Sequence, residues 1–303
     1  MIGQAAPPRR RIRWRRHFLG YAFISPWIVG FVVFIAGPMA ASVYLSLTDY
    51  DLLSAPRYAG FENFERLAKD PSVPKALFNT AYYTFISVPA KLAVALLMAV
   101  VLNMKLRFVT FFRVAYYLPT VVPAVSAVIM WMWIFNPDFG PVNLTLRLFG
   151  IPTPGWFWDE NWSKPAIIIM QLWNVGTQMV VFLAGLQTVP EVMHEAASID
   201  GAGRLRRFWH VTLPMLTPVV FFNAVVGIIG SWQVFTPAFI ATEGGPREST
   251  LFLVLHLYRH AFQNFRMGYA STLAWTLFLI VLIFTIIQFA MARRWVYYEA
   301  EAR

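Results

Sequence analysis

The sequence predicts an all-α, polytopic membrane protein with six transmembrane helices and both termini inside. Three observations carry this. The chain is 58% hydrophobic and only 13% charged over 303 residues, whereas soluble domains carry about 25% charged residues. Six stretches stay apolar over the roughly 20 residues needed to cross a bilayer. The 25 Lys/Arg residues are sorted by side instead of being gathered on one soluble domain. The net charge of +10 is therefore read as a topological signal, and no nucleic-acid partner is expected.

Residues 1–17 form a basic tail, with RRRIRWRR at 9–16. The apolar run that follows is too long for a signal-peptide core and lacks a small-residue cleavage site, so it is expected to remain as an anchor. The six spans run from Phe18 to Leu47, Ala76 to Leu102, Phe108 to Phe135, Ala166 to Leu186, Met215 to Ala241, and Gly268 to Met291. An external loop, 48–75, separates the first helix from a five-helix core domain, 76–291. That core contains an intracellular loop, 188–214, and a short C-tail follows at 292–303. Pro26, Pro38, Pro89, Pro119 and Pro123 fall inside spans and predict kinks in a packed bundle. With the N-terminus inside, the inside segments hold 15 of the 25 Lys/Arg residues, and 10 of the 15 acids lie outside. This is the positive-inside pattern.

Composition also excludes classes. There is no cysteine, so no disulfide, zinc–cysteine site or thiol nucleophile is available. No acid falls within a span, which weakens an ion-coupled secondary carrier, since such carriers need intramembrane carboxylates. Lys91 is the only formal charge in a span. It either packs beside a cavity with its amine reaching polar surroundings, or serves as a buried functional cation. No nucleophile–base constellation is evident, so no enzyme activity is expected. The phosphate-cradling G-x-x-x-x-G-K-[ST] loop is absent, so the chain has no nucleotide site of its own.

The loop EAASIDGAGRLRRFWHVTLP (195–214) is hydrophilic and basic between two apolar spans. Thr188 and Glu191 make a T-x-x-E capping pattern, and Pro190 suits an early helical position. A short helix is expected over Pro190 to Ile199, stopped at Asp200-Gly201, with further helix from Arg204 and the next span starting at Pro214. Val192, Ala196 and Ile199 share one face of that helix. Arg204, Arg206 and Arg207 suit either acids on a partner or lipid headgroups. The residues alone leave open whether this elbow lies on the membrane surface or docks into another protein.

The order Glu195-Ala196-Ala197, Gly201, then Leu213-Pro214 resembles the EAA signature of type I ATP-binding cassette importer permeases. The fuller string, EAASIDGAG then FWHVTLP, is similar to their carbohydrate-uptake branch. So are FISPWIVGFVVFIAGPMAASVYLSLTDYD (23–51), GFENFERL (60–67), FNTAYYT (78–84), TEGGPREST (242–250) and GYAST (268–272). The resemblance covers nearly the whole chain in order. It implies one of two permease subunits in a prokaryotic cell membrane, paired as a heterodimer. It also implies two ATPase subunits that hold ATP and Mg, and an external solute-binding protein. Glu195, Ala196, Ala197, Ile199, Asp200, Gly201, Arg204 and Pro214 would then couple to the ATPase. The solute implied is a sugar or oligosaccharide, with glycerol-3-phosphate or another polyol as the alternative.

A sugar site needs amides, hydroxyls and aromatic faces. Gln171, Asn174 and Gln178 fall at i, i+3 and i+7 in the fourth span and share one stripe. The fifth span adds Asn223, Ser231, Trp232 and Gln233, and the third adds Thr120 and Ser126. Pathway lining and hydrogen bonding between helices are both open to such residues. His256 and His260 are four apart, but no third ligand stands at a regular spacing, so no metal site is expected. Twelve tryptophans suit an interfacial belt.

Overall fold

The computed structural model describes residues 9–104 and 107–297, with side chains described from Phe18 onward. Residues 1–8 of the expected basic tail and 298–303 of the expected C-tail lie outside the described residues. Among the described residues, three helices are long and apolar enough to cross a membrane: Phe18–Ser46, Ser72–Asn103 and Met267–Trp295. Three more apolar stretches are each a bent pair. They are Val109–Val121 with Ala124–Ile134 at 101°, Ser163–Leu172 with Gly176–Thr188 at 47°, and Arg204–Met215 with Thr217–Trp232 at 64°. Each falls on one of the stretches expected as a single span.

The breaks have local causes. Pro119 and Pro123 flank the 101° bend, and the pre-proline Val122 is extended at ψ 129°. The 47° bend opens at Trp173–Val175 and restarts at Gly176. A Cβ at Gly176 would lie 2.7 Å from the Tyr116 carbonyl and 2.8 Å from Thr120 Cγ2. At this point the fourth stretch can therefore approach the third's backbone this closely only because residue 176 is a glycine. The expected span from Met215 to Ala241 is revised. The helix runs in from the elbow, bends at Leu216 between Pro214 and Pro218, and ends at Trp232. Pro237 has no N–H for the Gln233 carbonyl, so the helix cannot run straight on. A π-helical turn, Ala238–Thr242, follows. In the first span a π turn, Val32–Ala36, absorbs Pro38, while Pro26 and Pro89 sit inside continuous helices.

Among the described residues, strand is confined to a two-residue antiparallel ladder, Thr48 opposite Tyr58 and Asp49 opposite Arg57. It stands in the segment after the first span. There Asn63 donates Nδ2 to the Ser46 and Thr48 carbonyls at 3.0 and 2.8 Å, and Gly268 N–H donates to the Tyr50 carbonyl. The segments 48–75, 136–165 and 242–267 meet at this end of the bundle: Ser163 Oγ lies 2.7 Å from Ser249 Oγ, and Lys75 reaches the Arg247 carbonyl. The elbow and the end of the last helix lie at the opposite end, where Tyr297 N–H donates to Thr217 Oγ1.

Two buried cores hold the helices. One lies toward the loop-bearing end, around Tyr83, Phe135, Ile167, Phe252 and Tyr269. The other lies toward the elbow, where Ala95 and Ala99 are fully buried beside Met179, Phe182 and Leu216. Alanines at i and i+4 let the Gly176–Thr188 helix approach closely, as small residues do between membrane helices. Outside these cores the surface is apolar. The first membrane-length helix buries none of its most hydrophobic window, and Phe23, Trp27 and Phe34 are exposed. Water would not tolerate such a patch, and lipid or another chain would.

Candidate translocation cavity and elbow

A cavity of about 430 Å³ opens among the Ser72–Asn103, Ala124–Ile134, bent fourth and Thr217–Trp232 helices. Its polar lining includes Ser87, Lys91, Gln171, Asn174, Gln178, Asn223 and Ser231, with Tyr83, Trp173 and Phe235 as aromatic walls. No carboxylate is among its lining residues. Asn223 Nδ2 and Ser87 Oγ are buried with no hydrogen-bond partner. Each is a polar group taken from water without replacement, at about 1–3 kcal/mol.

The expected stripe of Gln171, Asn174 and Gln178 reaches the cavity by a different route. They do not share one continuous helix, because the break at Trp173–Val175 falls among them. The 47° bend turns the two halves so that all three amides still line the same space. Asn223 and Ser231 join them. Ser231 also donates to Thr84 Oγ1 at 3.0 Å, so it bridges helices as well. Four expected pathway residues lie elsewhere. Thr120 donates to the Tyr117 carbonyl at 2.7 Å and packs at the Gly176 bend. Ser126 and Gln233 are exposed away from the cavity lining. Trp232 is buried and stacked on Phe284, with ring centroids 5.4 Å apart. Ser87 was not singled out from the sequence; it stands four residues before Lys91, one helical turn away on the same face.

At the other end the elbow is built as two helices around a glycine. Glu191–Ile199 is the first, with Pro190 as its N-cap. The expected capping box does not form, because the Thr188 hydroxyl turns back to the Gly185 carbonyl at 2.8 Å. The stop is a full Schellman closure. Gly201 N–H reaches the Ser198 carbonyl, and Ala202 N–H reaches the Ala197 carbonyl at 2.9 Å. Gly201 adopts φ +76°, the left-handed conformation this closure requires. Arg204–Arg207 then starts the second helix, and Pro214 sits in the first turn of Leu213–Met215. Val192 and Ile199 are 70% and 86% exposed, with Glu195 and Ala196 exposed beside them and Ala197 half-buried. Asp200, Gly201 and Arg204 are exposed around the turn, and Leu205 is 72% exposed. An apolar ridge flanked by arginines therefore projects from this end, with nothing among the described residues to cover it.

Membrane-length helices, a polar cavity between them and a projecting elbow at one end define a helical membrane transport subunit. The chain belongs to the family described as the binding-protein-dependent transport system inner membrane component, which its residues 91–297 match. It is a multi-pass membrane protein, and its relatives are permease subunits of ABC transporters, transport components rather than enzymes. It is 41% identical over 308 residues to a Bacillus subtilis protein named "Probable ABC transporter permease protein YesP", covering 99% of each chain. It is 36% identical to the lactose transport system permease protein LacF of Rhizobium radiobacter, over 90% of this chain and 94% of that one. Its fold matches a chain of a bacterial alginate ABC transporter at TM-score 0.82 with 22% identity, covering 94% of this chain and 98% of that one.

Proposed function

We propose that this chain is one permease subunit of a binding-protein-dependent importer that moves a sugar or oligosaccharide inward. The observation that carries the proposal is the cavity, whose amides, hydroxyls and aromatic walls suit a neutral, hydroxyl-rich solute. The lactose permease among its relatives is consistent with that. In this reading each bent pair is one span, giving six, with the N-terminus, the elbow and the C-terminus inside. Residues 18–47 are the first span, 48–75 an external loop and 76–291 the core domain that carries the elbow.

A second permease subunit would complete the pathway, and two ATPases would hold ATP and Mg. Glu195, Ala196, Ala197, Ile199, Asp200, Gly201 and Arg204 would enter the ATPase groove, and Pro214 would hold the helix that carries the motion inward. A solute-binding protein would dock at the loop-bearing end. ATP binding at the partners would favour one state of the pathway over the other, which is what any ligand must do to shift a conformational equilibrium. Lys91 favours a second reading. An unpaired cation in the cavity suits an anion-bearing solute such as glycerol-3-phosphate, and one relative is an sn-glycerol-3-phosphate permease, 30% identical. An ion-coupled carrier is less well supported, since no carboxylate lines the cavity.

The test is uptake into proteoliposomes holding the purified chain alone, or the chain with its companion permease, ATPases and binding protein. ATP-dependent uptake by the full set alone supports the proposal. Gradient-driven uptake by the isolated chain overturns it.

A further inference from the structure

At the loop-bearing end, three potential metal ligands that the sequence keeps far apart converge. Asp70 stands just before the Ser72–Asn103 helix. His256 lies on Leu253–Tyr258, and His260 on the π turn Arg259–Gln263 that continues it. We propose that Asp70, His256 and His260 bind one divalent transition-metal ion of the zinc class.

The geometry supports this in three ways. First, the candidate ligand atoms all lie within 4.8 Å of one another. His256 Nε2 is 3.0 Å and His260 Nε2 4.0 Å from the same oxygen, Asp70 Oδ2. Two imidazoles and a carboxylate form a donor set that zinc accepts, leaving a fourth position for water. Second, the carboxylate is already held. Tyr269 donates its hydroxyl to Asp70 Oδ2 at 2.7 Å, and Ser72 N–H donates to Oδ1 at 2.9 Å. Such outer partners fix a ligand's orientation.

Third, His260 is an unused imidazole. Its side chain is 14% exposed, its Nε2 stands beyond hydrogen-bond reach of Asp70, and its Nδ1 is buried with no partner. A buried imidazole without hydrogen bonds gains nothing from its polarity, and coordination through Nε2 would give it a use. His256 now donates Nε2–H to Asp70 Oδ2 at 3.0 Å. As a ligand it would carry its proton on Nδ1. The ion would pin the 253–263 segment to the start of the second membrane-length helix, with Tyr269 holding the same carboxylate from the start of the last.

The experiment uses the tag-free, chelator-treated full chain in detergent, titrated with zinc against a competing fluorescent chelator. Cobalt serves as a second probe, read by its visible ligand-field bands. The expected result is saturable uptake of a single zinc ion per chain, a raised unfolding temperature and cobalt bands of nitrogen–oxygen coordination. His260→Ala removes no side-chain hydrogen bond, only the ring packed edge-on against His256 and Tyr269, so that variant should still fold but lose the ion and the thermal shift. Asp70→Asn should lose them too, while His194→Ala, outside the cluster, keeps both. Zinc uptake no higher than background, or uptake unchanged in His260→Ala, would overturn the proposal. Neither result depends on what the chain transports.

Discussion

The ammonium of Lys164 donates to Asn79 Oδ1 at 3.2 Å and to the Ser249 carbonyl at 3.0 Å, joining two helices to the loop that caps them. Asn79 passes the connection on. Its Nδ2 donates to the Glu248 and Leu251 carbonyls at 2.8 and 3.2 Å. Asn79→Ala therefore strands two loop carbonyls and removes one partner of a half-buried amine. At about 1–3 kcal/mol for an unsatisfied buried group, the variant is expected to lose about 2 kcal/mol. Thermal unfolding of the detergent-solubilised chain measures this, and an unchanged midpoint would mean the loop is held by other bonds.

Gly268 offers a sharper test. A Cβ there would stand 2.0 Å from the Thr48 carbonyl oxygen and 3.1 Å from Asn63 Nδ2. The last membrane-length helix meets the first span's end through that missing side chain. Gly268→Ala must push the 48–63 segment away, at about 1–3 kcal/mol for overpacking. Gly30→Ala meets nothing within 4 Å and serves as the control. Expression level and unfolding temperature of the two variants should separate clearly; similar values would show the contact to be soft.

Gly201 controls the elbow by conformation alone, since a Cβ there meets no atom within 4 Å. Its φ of +76° is what a β-branched residue resists, at about 1–2 kcal/mol for the left-handed region. Gly201→Val is expected to open the Schellman closure and turn the Ile199 ridge, while the membrane helices still insert. In the reconstituted complex, ATP hydrolysis should continue with uptake largely lost. Gly203→Ala, at φ −66° and with open space around it, should leave uptake intact. Equal uptake by the two variants would remove the elbow from the coupling path.

Much of this was legible in the sequence, and the remainder was hidden for physical reasons. Hydropathy over windows of membrane length is a one-dimensional signal, so the apolar stretches could be placed. The elbow was legible because Asp200-Gly201 is a local stop. The bends were harder to read. Pro123 signals a break, but nothing local announces the 47° turn at Trp173–Val175, which depends on Gly176 seating against Tyr116 and Thr120. Thr120 and Trp232 share the chemistry of pathway residues yet pack between helices, a distinction that only the neighbours make. Asp70 meets His256 across 186 positions, so no spacing rule could pair them.

The cavity makes a prediction that also decides between two solutes. Asn223 and Lys91 both line it, and neither side chain is held by a hydrogen bond or ion pair among the described residues. For a neutral sugar, Asn223→Ala removes a hydrogen bond worth about 0.5–1.5 kcal/mol, raising KM for uptake about two- to thirteenfold. Lys91→Met should then matter little, because a methionine fills similar space against the same apolar wall. For an anion-bearing solute the order reverses. A charge-assisted bond is worth about 1.5–3 kcal/mol, so Lys91→Met should raise KM roughly ten- to hundredfold while Asn223→Ala has the smaller effect. Uptake kinetics of the two variants in the reconstituted complex distinguish these outcomes. If both variants transport as the parent does, the polar lining serves only to hold helices together and the solute passes elsewhere.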